Sequence, residues 1–367
     1  MTNGLESKKS VIIGAQLKRA RDLLQLTPED IAEEINVKPQ DIINWEKEQS
    51  RPTLKQLEDL AALYGREIDY FLRETPHPPE KIEFRGKSGQ TLRNLSKETK
   101  IVLARFDELC RTVFEFENLL NKRREVKLPH FDKADTPKAI AQSIRRIFDA
   151  GNKPLPDLRN LLENKGILIF ELPVPDDAFS GFSFWHSVYG PCILLNAKEL
   201  KGRRNFTLAH ELCHLLYSHG SSLCYVHLQF GQPSGGLEYK ANQMAIELFL
   251  PEGGIREDFE KRNLSRNPSE KQLAQMASKW GVSIQALGYR LEHLNLIKSG
   301  LTDRIMESKP KYFRRPKTPS WERQLGKRFV DTTIEAYKKG HISYGKVADA
   351  LKIPIRKAME LVEQRES

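Results

Sequence analysis

Residues 207–219 read TLAHELCHLLYSH, and within them His210, Glu211 and His214 form an H-E-x-x-H run. On a helix, residues four apart lie on one face a turn apart, so both imidazoles reach a single cation. Glu211 stands beside them, placed to take a proton from a metal-bound water. This pattern makes zinc-dependent peptide hydrolysis the first functional expectation. Leu208, Ala209, Leu212, Leu215 and Leu216 make the remainder of the helix apolar. The helix is therefore expected to be buried, and a buried polar triple needs partners. The plainer reading of the same residues is three polar side chains satisfied inside a helical core.

A catalytic zinc takes three protein ligands and keeps one position open. The third histidine used by astacin-like and matrix proteases is absent: Gly220 stands at its place, Tyr217 replaces their glycine, and His219 falls one residue short. A better candidate is Glu238, in EYKANQMAIELFLP at 238–251. Ala241, Met244, Ala245, Leu248 and Phe249 recur there at helical spacing, which puts Glu238 near the start of a second buried helix. The expected site is thus His, His, Glu on two helices.

FTLAHELCH at 206–214, followed by Glu238-x-x-Ala241-Asn242 and a helix ending in Leu250-Pro251, resembles the ImmA/IrrE family of metallopeptidases over about residues 154–298. The resemblance implies a small gluzincin-like enzyme, of a kind that often cleaves helix-turn-helix repressors. Carried over, it implies that His210, His214 and Glu238 bind zinc and that Glu211 is the general base. Zn2+ is the expected cofactor, with Mn2+ or Fe2+ as the other candidates. Cys213 departs from the family, which often has glycine there. A small buried residue is expected at that position rather than a redox-sensitive thiol.

The N-terminal segment carries its own signature. Thr27 is placed to cap a helix with Pro28 at its first position and Asp30 near the capping-box place. Asn36-Val37-Lys38-Pro39 turns the chain into a second helix, where Ile42, Ile43 and Trp45 pack and Gln40 and Asn44 point outward. Arg51-Pro52-Thr53-Leu54 opens the next. Residues 12–72 resemble the phage-repressor (XRE) helix-turn-helix family, which implies that the second motif helix enters the major groove of double-stranded DNA. Lys38, Gln40 and Asn44 become candidate DNA contacts. Pro28 stands where a glutamine is often found, Asp41 lies on the recognition helix, and residues 1–75 carry 11 basic and 14 acidic groups. A protein-binding module that dimerises with a similar repressor is therefore the rival reading.

With 367 residues and 39% hydrophobic content, two or three ordinary globular domains are expected. The start, MTNGLESKKSVIIG, lacks a signal-peptide apolar run, and nothing approaches the roughly 20 apolar residues of a membrane span. A cytoplasmic location without membrane contact is expected. Cys110, Cys192, Cys213 and Cys224 form no C-x-x-C pair, so neither a zinc ribbon nor a disulfide framework is indicated. The net charge of +10 is uneven, since residues 256–367 carry 24 basic and 14 acidic groups. Phosphate attraction favours that third, although solvated helical faces account for the same excess.

Pro76-His77-Pro78-Pro79 marks a linker. Thr99 to Arg124 reads as a long amphipathic helix, a strut between domains or a homodimer contact. Thr136–Phe148 and Leu155–Asn164 look helical, and 166–170, 182–185 and 192–196 read as strands. The resemblance to gluzincin-like proteases implies that Ile193 to Asn196 is a free edge that aligns substrate, the plainer reading being a strand paired on both sides. Arg203 and Arg204 order the site, bind a substrate carboxylate or are merely solvated. Tyr217, His219, Tyr225 and His227 are candidate oxyanion donors. Pro268–Ile297 has a helix-turn-helix rhythm with Ser283 as a cap, a buttress or a second DNA-reading element. Lys309 to Pro319 is a basic, proline-rich linker. Trp321–Arg365 is a last helical unit, with Ser343 as a cap, that binds a partner or the N-terminal domain.

The fold class expected is multidomain and mainly α. An all-α helix-turn-helix domain (1–75) precedes a linker and helical strut (76–150), an α+β gluzincin-like peptidase domain (151–300), and a basic linker with a helical C-terminal unit (301–367). The function expected is cleavage of a helix-turn-helix repressor, or of the chain itself, to relieve repression. The alternative is a non-proteolytic DNA-binding regulator, alone or paired with a toxin or phage-type partner.

Overall fold

In the computed structural model, the residues described are 14–72, 95–122, 126, 129, 131–132, 134–175, 178–186, 188–217, 222–224, 236–308 and 318–365. They fall into two compact units, 14–72 with 95–109 and 110–365. The linker at Pro76–Pro79 and most of that at 309–319 lie outside the described residues.

The first unit holds α1 (Gly14–Leu23), α2 (Pro28–Ile35), α3 (Pro39–Glu46), α4 (Leu54–Tyr64) and the first part of α5 (Lys97–Leu119). α2 starts where the sequence indicates. The Thr27 hydroxyl accepts from the Asp30 N–H at 3.2 Å, and the Asp30 carboxylate accepts from the Thr27 N–H at 2.7 Å. Asn36 ends α2 in the left-handed region (φ 54°), a conformation asparagine tolerates. Asp41 has a local reason to be on α3, because its carboxylate accepts from the Lys38 N–H at 3.0 Å and closes the helix start. Leu17, Ile31, Ala32, Ile42, Trp45, Leu57 and Leu60 form the core. Arg66, on the chain leaving α4, pairs with Asp107 (2.6 Å) and Glu108 (3.0 Å) of α5. The division between the two units falls within α5, after Leu109.

The second unit continues with α6 (Pro137–Ile147), α7 (Leu158–Glu163), β1 (Leu168–Leu172), β2 (Gly181–His186), β3 (Gly190–Asn196), α8 (Lys201–Leu216), β4 (Ser222–Cys224) and α9 (Leu237–Phe249). α10 (Glu252–Lys261), α11 (Glu270–Trp280), α12 (Ile284–His293) and α13 (Leu301–Glu307) follow. The sheet order is β1-β3-β2-β4. β3 runs parallel to β1, with Ile169 opposite Ile193, and antiparallel to β2, with Phe182 opposite Leu194.

This pairing corrects the expectation that Ile193–Asn196 is a free edge. β3 is bonded on both sides, and the outer strands are β1 and β4. Ile193, Leu194 and Leu195 are consecutive apolar residues with at most 1% exposure. Such an unbroken run, buried on both faces, is the pattern of a central strand, whereas alternation marks a half-exposed one.

The chain runs on past residue 300 within the same unit, as α14 (Trp321–Leu325), α15 (Lys327–Lys338), α16 (Tyr344–Leu351) and α17 (Ile355–Gln364). Charged side chains bind α14 and α15 to earlier elements of the unit. Arg323 reaches Glu171 of β1 at 3.0 Å, where Arg159 also pairs at 2.8 Å. The Arg328 guanidinium makes two 2.7 Å bonds to Glu117 and a third, of 2.8 Å, to the Gly166 carbonyl, all buried. Removing one partner of such a pair leaves a desolvated charge. Glu117→Ala is therefore expected to destabilise the second unit by about 3–5 kcal/mol, read from the denaturation midpoint. A loss below about 1 kcal/mol would mean that the pair behaves like an exposed one.

Candidate metal centre

From Phe206 to Leu216 every residue of α8 is buried. A helix apolar all round belongs in a core, and α8 lies between β2 and α9. On the strand side the fit is close. A Cβ on Gly181 would lie 2.4 Å from Thr207 Cγ2 and 3.1 Å from Glu211 Oε1, so only glycine lets β2 lie flush on the helix.

His210 and His214 are at most 1% exposed and face Glu238 on the second residue of α9. Their Nε2 atoms lie 3.1 Å apart, and Glu238 oxygens stand 3.2 Å from His210 Nε2 and 3.3 Å from His214 Nε2. Donors about 2.0–2.1 Å from a tetrahedral zinc are about 3.3 Å from one another. The spacing and the donor types therefore fit a small divalent cation, and no other such group of His, Cys, Asp or Glu occurs among the described residues.

Burial alone would raise the Glu238 carboxyl, but hydrogen bonds from His210 and His214 hold it well below its usual range. Burial would lower His214, yet its hydrogen bond to Glu238 and the nearby Glu211 leave it raised. These groups share protons, and such protons are what a bound cation displaces.

Two neighbours are given no role by the sequence, although Asn242 stands in the motif quoted there. Asn242, one turn beyond Glu238, puts its Oδ1 2.8 Å from His210 Nδ1, which orients the ring with Nε2 towards the cluster. Ser183 of β2 donates its hydroxyl to Glu211 Oε2 at 2.6 Å. Asn242 carries a local signal, its helical spacing from Glu238. Ser183 carries none, because only the packing of strand on helix brings it to Glu211. Glu211 is fully buried, and burial pushes its carboxyl up. Its Oε1 has no hydrogen-bond partner among the described residues.

Other expected site residues lie elsewhere. Arg204 is not solvated. It is buried within the first turn of α8 and pairs with Glu171 at 3.0 Å, so it anchors the helix. Arg203 is half exposed and pairs with Glu199 at 2.9 Å. The Tyr217 hydroxyl donates to the Asp135 carbonyl at 3.0 Å, an engagement that sets it aside as an oxyanion donor. His219, Tyr225 and His227 lie outside the described residues. Cys213 is completely buried and its thiol is pushed up to about 12 by burial, as expected of a packing residue. In the first unit Lys38 and Gln40 are exposed and Asn44 partly so, with Gln40 Nε2 donating to Asn44 Oδ1 at 2.8 Å.

The first unit is built as a helix-turn-helix, and the second, α+β, brings the buried His210 and His214 together with the partly exposed Glu238. Comparison with known proteins agrees. Residues 162–292 match the peptidase family model described as the IrrE N-terminal-like domain, and residues 17–71 match a helix-turn-helix model. The chain is also similar to an uncharacterized HTH-type transcriptional regulator, YobD, of Bacillus subtilis (strain 168), with 35% identity over 68 residues. That stretch is 18% of this chain and 61% of the relative, so the chain covers less than two thirds of it. No helix among the described residues is long and apolar enough to cross a membrane.

Proposed function

We propose that the second unit is a zinc-dependent endopeptidase acting on a helix-turn-helix regulator, or on another copy of this chain, and that cleavage relieves repression. The observation that carries the reading is the convergence of His210, His214 and Glu238 beside the buried carboxylate of Glu211. His210, His214 and Glu238 would hold the ion, which when bound polarises a scissile carbonyl and acidifies a water. Glu211 takes up the proton from the attacking water and passes it to the leaving amine. Ser183 aims that carboxylate, and Asn242 fixes the His210 ring. In the first unit, Lys38, Gln40 and Asn44 would meet duplex DNA, so that regulation and proteolysis reside in one chain.

The test is cleavage read by intact mass. The zinc-loaded chain is incubated with helix-turn-helix proteins encoded beside its gene and, separately, with the full-length Glu211→Gln variant as substrate. A chelator is expected to stop cleavage and added zinc to restore it. A metal-loaded chain that cuts none of these would leave a regulator that uses the peptidase scaffold without proteolysis.

A further inference from the structure

The turn that joins α2 to α3 occurs again, residue for residue, between α16 and α17. Residues 27–44, TPEDIAEEINVKPQDIIN, and 343–360, SYGKVADALKIPIRKAME, align without insertion or gap. Thr27 and Ser343 each cap their helix by accepting from the N–H three residues on. Both first helices have eight residues and bury Ile31 with Ala32 and, at the matching positions, Val347 with Ala348; α16 buries Leu351 as well. Each ends in a left-handed residue, Asn36 (φ 54°, ψ 54°) and Lys352 (φ 54°, ψ 43°). The next N–H then bonds back to the buried alanine, Val37 to Ala32 at 3.0 Å and Ile353 to Ala348 at 3.1 Å. The second helices start at Pro39 and Ile355 and bury Ile42 and Ala358 in register. Even the exposed pair across one turn is repeated: Gln40 to Asn44 at 2.8 Å, Arg356 to Glu360 at 3.3 Å.

α11 and α12 share this turn, since Gly281 is left-handed and Val282 N–H bonds to Ala277 O at 3.1 Å. They do not share its free face. Ala286, Leu287, Gly288, Arg290 and Leu291 are buried, and a Cβ on Gly288 would meet Thr302 of α13 at 2.5 Å. Thr302 thus covers the helix at Gly288, which favours the buttress reading of this pair over a second DNA-reading element.

α17 is open. The Arg356 side chain is 91% exposed, and Ile355 and Met359 are exposed by 56% and 41%. The charge also changes sign relative to the N-terminal copy. Lys357 stands at the place of Asp41, and residues 327–365 carry nine basic and five acidic groups. We propose that α16 and α17 are a second helix-turn-helix, which binds duplex DNA with the first turn of α17 in the major groove. Arg356, at the place of Gln40, presents a fork suited to guanine O6 and N7. Ile355 and Met359 offer apolar contact for thymine methyls, and Lys357 adds attraction to phosphate. The proposal is independent of the peptidase reading, because it uses neither α8 nor α9.

The test uses the full-length chain and a short fluorescent duplex of mixed sequence, with anisotropy followed over a salt series. Lys38→Ala/Gln40→Ala/Asn44→Ala is expected to retain binding. Adding Arg356→Ala/Lys357→Ala should weaken it about tenfold or more and lower the log–log salt slope by about 1 to 2. The charge-conserving Arg356→Lys/Lys357→Arg pair keeps the wild-type slope, which separates loss of contact from loss of fold. Two results would overturn the proposal: binding that vanishes in the N-terminal triple variant, or affinity and slope unmoved by the α17 alanines. If the α17 alanines instead dissolve a dimer in sedimentation while duplex binding persists, the face binds protein and not DNA.

Discussion

Glu211→Gln is expected to cut cleavage by about 10²- to 10⁴-fold while the protein still binds stoichiometric zinc. The amide has the size of the carboxylate and keeps an oxygen to accept from Ser183, now at 2.6 Å from Oε2. What it loses is the ability to take a proton. The fold should tolerate the change, because Glu211 is fully buried and burial already pushes its carboxyl up. An uncharged amide there avoids the cost of desolvating a carboxylate. Metal content is the control. Cleavage at the wild-type rate would remove Glu211 as the base, and loss of zinc in step with activity would make it a ligand instead.

Glu238→Ala should have the largest effect on the metal itself. Its two oxygens close the third side of the cluster, 3.2 and 3.3 Å from the two imidazoles, and its side chain is 39% exposed, so truncation leaves no large cavity. Zinc affinity is expected to fall by more than the roughly 10- to 100-fold typical of losing an outer partner. Asn242→Ala supplies that outer comparison, because it touches His210 only through Nδ1. Competition against a chromophoric chelator reads both. Zinc-dependent thermal stabilisation gives a second measure, with about 1.4 kcal/mol for each tenfold in affinity. Wild-type affinity in Glu238→Ala would put the third ligand elsewhere. An equal loss in both variants would mean that Glu238 acts only on the orientation of the rings.

Much of this architecture is legible locally. Thr27, Ser283 and Ser343 cap helices because a side-chain oxygen three residues from a free N–H is a short-range arrangement. The pairing of His210 with His214 follows from helical spacing, and the burial of α8 follows from its apolar residues on every side. The edge assignment of Ile193–Asn196 failed because strand order depends on which segments meet. The unbroken apolar run was nonetheless present as a warning. The role of Arg204 stays open in the sequence for a related reason: its partner Glu171 lies on β1, far away in the chain.

From sequence alone came the two kinds of unit, many of their helices, the caps at Thr27, Ser283 and Ser343, and the residue types able to hold a cation, since these depend on contacts within a turn or two of chain. Tertiary structure alone decided how closely Glu238 of α9, already a candidate, meets the imidazoles of α8, that Ser183 reaches Glu211, and that β3 is central. It also decided that α12 is covered while α17 stays open, although both follow the same turn. Backbone geometry repeats wherever local sequence allows it. Whether a helix face stays in water or is buried depends on what the rest of the chain packs against it.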